Sequence, residues 1–102
     1  MRVKKSDEWL AAVGDRLEAS RKAVGVSHVN MATVAGVSPQ SWSNYVHGIR
    51  PLDLDAAILL CERWHFTLDW IYRGILAGLP QELHAKLAPR IAPKVVPLKK
   101  RR

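Results

Sequence analysis

The sequence has only one cysteine, Cys61, in 102 residues. An internal disulfide and a thiolate zinc site are therefore excluded. Long apolar runs are missing as well. The longest, residues 56–61, is six residues long, against the roughly 18 that a membrane span needs. The basic start "MRVKKSDEWL" meets Asp7 and Glu8 where a signal peptide requires an apolar stretch. A soluble, cytoplasmic chain is expected. There is no glycine-rich phosphate loop, and Ser41 has no base in any recognisable motif. His65 and His84 have no ligand spacing to another His, Cys or acid. Asp53 and Asp55 are better read as a helix cap and its neighbour than as a catalytic pair. No enzyme, no metal and no cofactor are expected.

Acidic residues are also missing from one long stretch. Residues 19–52 contain no Asp or Glu, while Arg21, Lys22 and Arg50 lie there with His28 and His47. Residues 53–82 then carry five acids against Arg63 and Arg73. The net charge of +7 comes entirely from residues 83–102, which hold Lys86, Arg90, Lys94, Lys99, Lys100, Arg101 and Arg102 and no acid. A centre that avoids negative charge and a strongly positive tail both suit a polyanionic partner.

What is present is helical spacing, with no repeat and no strand-period alternation. A first helix is expected over residues 6–24, capped by Ser6, with an apolar stripe at Trp9, Val13 and Leu17 and a stop at Gly25. Ser27 caps a second helix, residues 28–35, which Gly36 ends. Ser38 caps a third, with Pro39 at its first position, where a missing N–H costs nothing. It runs to about His47 and stops at Gly48. Asp53 caps a fourth helix, and Thr67 a short fifth with Leu68, Trp70 and Ile71, ended by Gly74. A further short helix follows residues 78–80, with Leu83 and Leu87 on one face, until Pro89, Pro93 and Pro97 forbid a long one. The last ten residues are expected to be extended or disordered. Trp9, Trp42 and Trp64 are expected in the core, and Trp70 at a subunit interface. The reading is an all-α, five-helix domain over residues 1–78, followed by a short extra helix and basic tail over 79–102.

Helices two and three are separated only by Gly36, Val37 and Ser38, which is the helix-turn-helix arrangement. Met31, Ala35, Val37, Trp42 and Tyr45 supply its apolar contacts. On the third helix, Trp42, Tyr45 and Val46 share one side. Gln40, Ser43, Asn44 and His47 share the other, at i, i+3, i+4 and i+7. A merely solvated face favours Glu, Lys and Arg, which are also better helix formers. Uncharged amides suit base edges instead: Gln and Asn each match adenine N6 and N7 in the major groove.

The marks "GDRLEASRKAVGVS", "MATVAGVS", "YVHG" and "TLDWIYRG" make residues 12–74 resemble the phage Cro/repressor-type (XRE) helix-turn-helix domain. Its members are mostly small transcriptional regulators that dimerise on palindromic operators, bacterial or phage-encoded. The resemblance implies that Pro39, Gln40 and Asn44 face bases, with Ser43 and His47 as further candidates. Ser27, His28 and Arg50 would face phosphates. Three residues depart from the family pattern. Gln usually stands where His28 does, which alters that contact or makes it pH-dependent. A polar residue often stands where Pro39 does. Glu usually stands where Val46 does, often paired with the Arg corresponding to Arg21. Without that partner Arg21 is free to reach a phosphate or to be solvated.

The function expected is a sequence-specific, double-stranded-DNA-binding regulator acting as a homodimer. Ile71, Leu76, Leu79, Leu83 and Leu87 are expected to leave apolar surface for a two-fold contact over residues 64–88. The alternative is a protein-interaction module on the same scaffold, such as an antitoxin or phage accessory factor. It would hold a protein partner through the acidic 53–82 segment or the tail.

Overall fold

Two serines fix where the central helices begin. Ser27 adopts an extended backbone and its hydroxyl accepts the Asn30 N–H at 3.1 Å; Ser38 does the same for Ser41 at 3.1 Å. In the computed structural model, which describes the backbone of residues 2–91 and the side chains of 7–89, six helices follow one another. They are α1 (Arg2–Val24), α2 (His28–Ala35), α3 (Pro39–Val46), α4 (Leu54–Trp64), a π-helical turn (Asp69–Arg73) and α5 (Gln81–Ile91). No strand occurs among the described residues. The all-α expectation is met, and the helix starts at His28 and Pro39 fall where the caps place them.

One apolar core joins every element. Val13 and Leu17 of α1 are buried with Met31, Ala32 and Ala35 of α2, Trp42 and Tyr45 of α3, and Ala57 and Leu60 of α4. Trp70 and Ile71 close it from the π turn, and Leu83 and Leu87 from α5. Trp70 is fully buried, so its indole N–H needs a partner. It donates to the Ser20 hydroxyl at 2.8 Å, and Ser20 in turn donates to the Arg16 carbonyl at 2.7 Å. The Thr67 hydroxyl accepts the Trp70 backbone N–H at 2.9 Å, as a cap should. Gly74, at φ 76°, ends the turn in the left-handed region.

Several expectations are corrected. The first helix begins at Arg2, so Ser6 lies inside it and does not cap it. Asp53 occupies the N-cap position of α4, but its side chain makes no cap hydrogen bond. Trp9 is 41% exposed and not a core residue. Its ring stacks on Tyr72 at 5.9 Å and its indole N–H donates to the Tyr72 carbonyl at 3.0 Å, which pins α1 to the π turn. Trp64 is only half-buried, against Phe66. The apolar residues offered for a subunit contact are used within the protomer. Trp70 and Ile71 are buried where the π turn packs on α1, Leu83 and Leu87 where α5 packs back on α1, and Leu79 lies buried in the same core with Leu76 half-buried against it. α5 also continues through Pro89 to Ile91; so close to the helix end, the lost backbone bond is tolerated.

Gly14 explains how α3 can lie so close to α1. A Cβ there would collide with the Val46 carbonyl oxygen and come within 2.9 Å of that of Tyr45. Opposite it, Gly48 at φ 73° lets the chain leave α3 against the Ala11 backbone. In an open helix Gly→Ala stabilises by about 1 kcal/mol. Here Gly14→Ala is expected to destabilise by about 1–2 kcal/mol net, since the helices must separate. Thermal unfolding measures it, and a melting temperature raised by the substitution would contradict this close approach.

Candidate nucleic-acid interface

The turn between α2 and α3 is closed by Gly36, whose φ of 74° places it in the left-handed region. Its N–H donates to the Thr33 carbonyl at 3.1 Å, and the Val37 N–H to that of Ala32 at 3.0 Å. The tight turn swings α3 across α2 so that Trp42 and Tyr45 enter the core. Their opposite face is left outward. Pro39 and Gln40 are exposed, Ser43 and Asn44 half-exposed, and His47 exposed at the helix end. The structure thus brings Pro39, Gln40, Ser43, Asn44 and His47 onto one accessible face.

That face is internally ordered. The Gln40 amide donates from Nε2 to Asn44 Oδ1 at 3.1 Å. His47 Nδ1 lies 2.8 Å from the Ser43 carbonyl and 3.3 Å from the Ser43 hydroxyl. A carbonyl oxygen only accepts, so Nδ1 carries the proton and, in the neutral ring, Nε2 is left as an acceptor. The Asn44 carbonyl receives the Ile49 N–H at 2.8 Å and the Arg50 N–H at 3.3 Å, which sets the loop bearing the exposed Arg50 directly after α3.

The start of α2 is tied to both neighbours. His28 Nδ1 accepts the Trp42 indole N–H at 3.2 Å, and its Nε2 lies 3.5 Å from Glu18 Oε1. Ser27 stays exposed while its hydroxyl caps α2. Arg21 is not free, as the sequence suggested. It grips Glu18 with two nitrogens, at 3.1 and 2.7 Å, and donates to the Val26 carbonyl at 2.9 Å. Lacking a carboxylate at Val46, Arg21 takes one from its own helix instead. Glu18 is the hub that the sequence reading missed, although Arg21 and Lys22 at i+3 and i+4 were the signal. Val29 and Ile49, 58% and 64% exposed, were also passed over. Val29 borders a cleft of about 250 Å³ between α2 and α3, lined also by Pro39, Trp42 and His47.

The hydrogen bond from Arg21 holds the Glu18 carboxyl below the ordinary carboxylate range, against an opposing desolvation. A carboxyl lowered in the folded state stabilises above its unfolded pKa and loses that contribution as pH falls through the folded one. Acid unfolding should therefore include Glu18. Glu18→Gln is expected to be less stable at neutral pH, with the difference shrinking as pH falls through the acidic range. A gap between the two proteins that stays constant with pH would rule this out.

Among the described residues no helix is long and apolar enough to cross a membrane, and no group of three or more His, Cys, Asp or Glu could hold a metal ion. Compared with known proteins, the chain matches no family model, no curated protein and no solved structure.

Proposed function

We propose that this protein is a sequence-specific DNA-binding regulator of transcription that lays α3 in the major groove. The observation that carries the reading is the outward face of α3. Gln40, Ser43, Asn44 and His47 lie together there without a charge among them, behind a tight turn and above a buried Trp42 and Tyr45. Uncharged donors and acceptors on an exposed helix suit base edges better than solvent. In this reading Pro39 offers only apolar contact, as to a thymine methyl. Ser27, His28 and Arg50 flank the groove, and the basic termini supply sequence-independent attraction. Arg21 reaches a phosphate only by leaving Glu18. The protein acts as a repressor-like regulator in the manner of the Cro/repressor-type domain it resembles, in the cytoplasm of a bacterium or from a phage. Selection of bound sequences from a random DNA pool tests the proposal. An enriched motif supports it, and a pool that stays random contradicts it.

Two copies on a two-fold site belong to the same proposal, because one domain reads one half-site. Within the proposed 64–88 contact, Leu68 is the large apolar side chain that stays clearly exposed among the described residues; Leu54, Ile58 and Leu59 of α4 lie outside it. Sedimentation on a palindromic duplex should give two chains per duplex. One chain per duplex at saturation would rule the dimer out.

A protein-interaction module remains the second reading, favoured by the exposed aliphatics of α4 beside Asp55 and Glu62. An antitoxin-like partner-holding role would leave the random pool unenriched.

A further inference from the structure

The outward side of α4 has no part in DNA reading. Leu54, Asp55, Ile58, Leu59 and Glu62 recur at i, i+1, i+4, i+5 and i+8, which places them on one arc, opposite the buried Ala56, Ala57 and Leu60. Leu54, Ile58 and Leu59 are 53%, 38% and 41% exposed, and both carboxylates are exposed beside them. Among the described residues neither Asp55 nor Glu62 makes a salt bridge. Arg63, the one cation of α4, lies instead over the Trp64 ring at 5.0 Å.

Charge decides what can cover this arc. The two acids repel phosphates. A second copy laying the same face against this one would set Asp55 and Glu62 against their own equivalents, again like against like. A cationic segment meets both halves of the arc, because Lys and Arg lay their methylene stems on apolar surface while their charged ends reach outward. Residues 98–102 of this chain, "LKKRR", are such a segment: a leucine, four cations and no acid. We infer that α4 holds the chain's own C-terminus. Leu98 and the stems of Lys99, Lys100, Arg101 and Arg102 cover Leu54, Ile58 and Leu59, and their charges meet Asp55 and Glu62.

The chain is long enough for this. Residues 92–102 lie outside the described part of it. α5 begins beside the end of α4, where Trp64, His65, Pro80 and Leu83 line one cleft of about 280 Å³. The chain leaves α5 at Ile91, about 16 Å along that helix. Eleven extended residues span up to about 36–40 Å, enough to return along α5 and bring the last five onto the Glu62 end of the arc. Tethering gives the segment an effective concentration of about millimolar, so even a weak contact is occupied. DNA phosphates compete with α4 for the same cations, and the tail adds to DNA binding only by leaving α4.

Carbodiimide cross-linking of the full chain tests the contact, since it joins a lysine amine to a carboxylate only where the two meet. Links from Lys99 or Lys100 to Asp55 or Glu62 are expected within one chain, so a mixture of isotopically heavy and light protein should give links of like to like. The second readout is the methyl spectrum of the full chain. Lys99→Gln, Lys100→Gln, Arg101→Gln and Arg102→Gln together should shift the Leu54, Ile58 and Leu59 methyl signals and leave those of Val29 in place. All four sites lie outside the helical body, and circular dichroism checks that it stays folded. Methyl signals of α4 that do not move would overturn the inference. So would links that favour Asp69 or Glu82 over Asp55 and Glu62, or links that join heavy chains to light ones. No DNA is used, so failure here leaves the DNA-reading proposal standing, and an unenriched DNA pool leaves this inference standing.

Discussion

Asn44→Ala is expected to weaken binding to the best site by about 1–3 kcal/mol and to relax discrimination at one or two base pairs. Arg50→Ala, by contrast, should weaken binding to all sequences alike. The difference follows from position. Asn44 lies on the outward face of α3 with its amide hydrogens unengaged by Gln40. Arg50 lies exposed in the loop that leaves α3, where the proposed docking would set its guanidinium against phosphates, and phosphates carry no direct sequence information. Removing Asn44 also releases Gln40 from its hydrogen bond, so on the proposed reading the loss at the specific site includes the disordering of a second base contact. Competition binding against a single-substitution series of the selected site reads out both variants. Equal losses for Asn44→Ala on specific and random DNA would end the base-contact assignment. A sequence-dependent loss for Arg50→Ala would move that residue from the backbone to the bases.

The helix-turn-helix segment was legible because its signals are local. Ser27 and Ser38 cap, Gly36 turns, and the apolar spacing of Met31, Ala35, Trp42 and Tyr45 needs no knowledge of the rest of the chain. What could not be read was the choice of partner over long separations. Trp9 and Trp70 look alike in sequence. One stacks at the surface on Tyr72, 63 residues away, and the other is fully buried against Ser20, 50 residues away. Leu79, Leu83 and Leu87 have the spacing of an apolar face, but spacing does not say whether that face meets another copy or α1 of the same chain. Gly14 was a visible irregularity within a helical pattern. Its meaning depends on the Val46 carbonyl lying over it, which only the fold supplies. Arg21 was judged against an absent carboxylate at Val46, whereas the carboxylate it uses lies three residues before it.

Deleting residues 93–102 is expected to flatten the salt dependence of binding and to weaken specific and random DNA alike, with the preferred sequence unchanged. These residues lie outside the described part of the chain, and the argument for them is one of charge. Between Asp7 and Pro89 the chain holds nine acids against seven Lys and Arg. One of those seven, Arg21, already holds Glu18. Residues 7–89 are therefore net negative as a whole, and the excess of positive charge that favours a polyanion lies in the termini. Residues 93–102 carry Lys94, Lys99, Lys100, Arg101 and Arg102 with no acid. Each phosphate neutralised contributes about 0.9 to the slope of log affinity against log salt, so these five side chains set a ceiling of roughly 4.5. An arm of this kind, interrupted by Pro93 and Pro97, can follow phosphates beside the groove or enter a neighbouring minor groove. Neither use distinguishes one operator from another, so the motif selected by the truncated protein should match that of the full chain. Titrations at several salt concentrations measure the slope directly. A truncated protein that retains the full slope shows that the tail does not touch DNA. Its charge then belongs to solubility or to another partner, and the sequence-independent attraction falls to Arg50 and the other basic residues outside the tail.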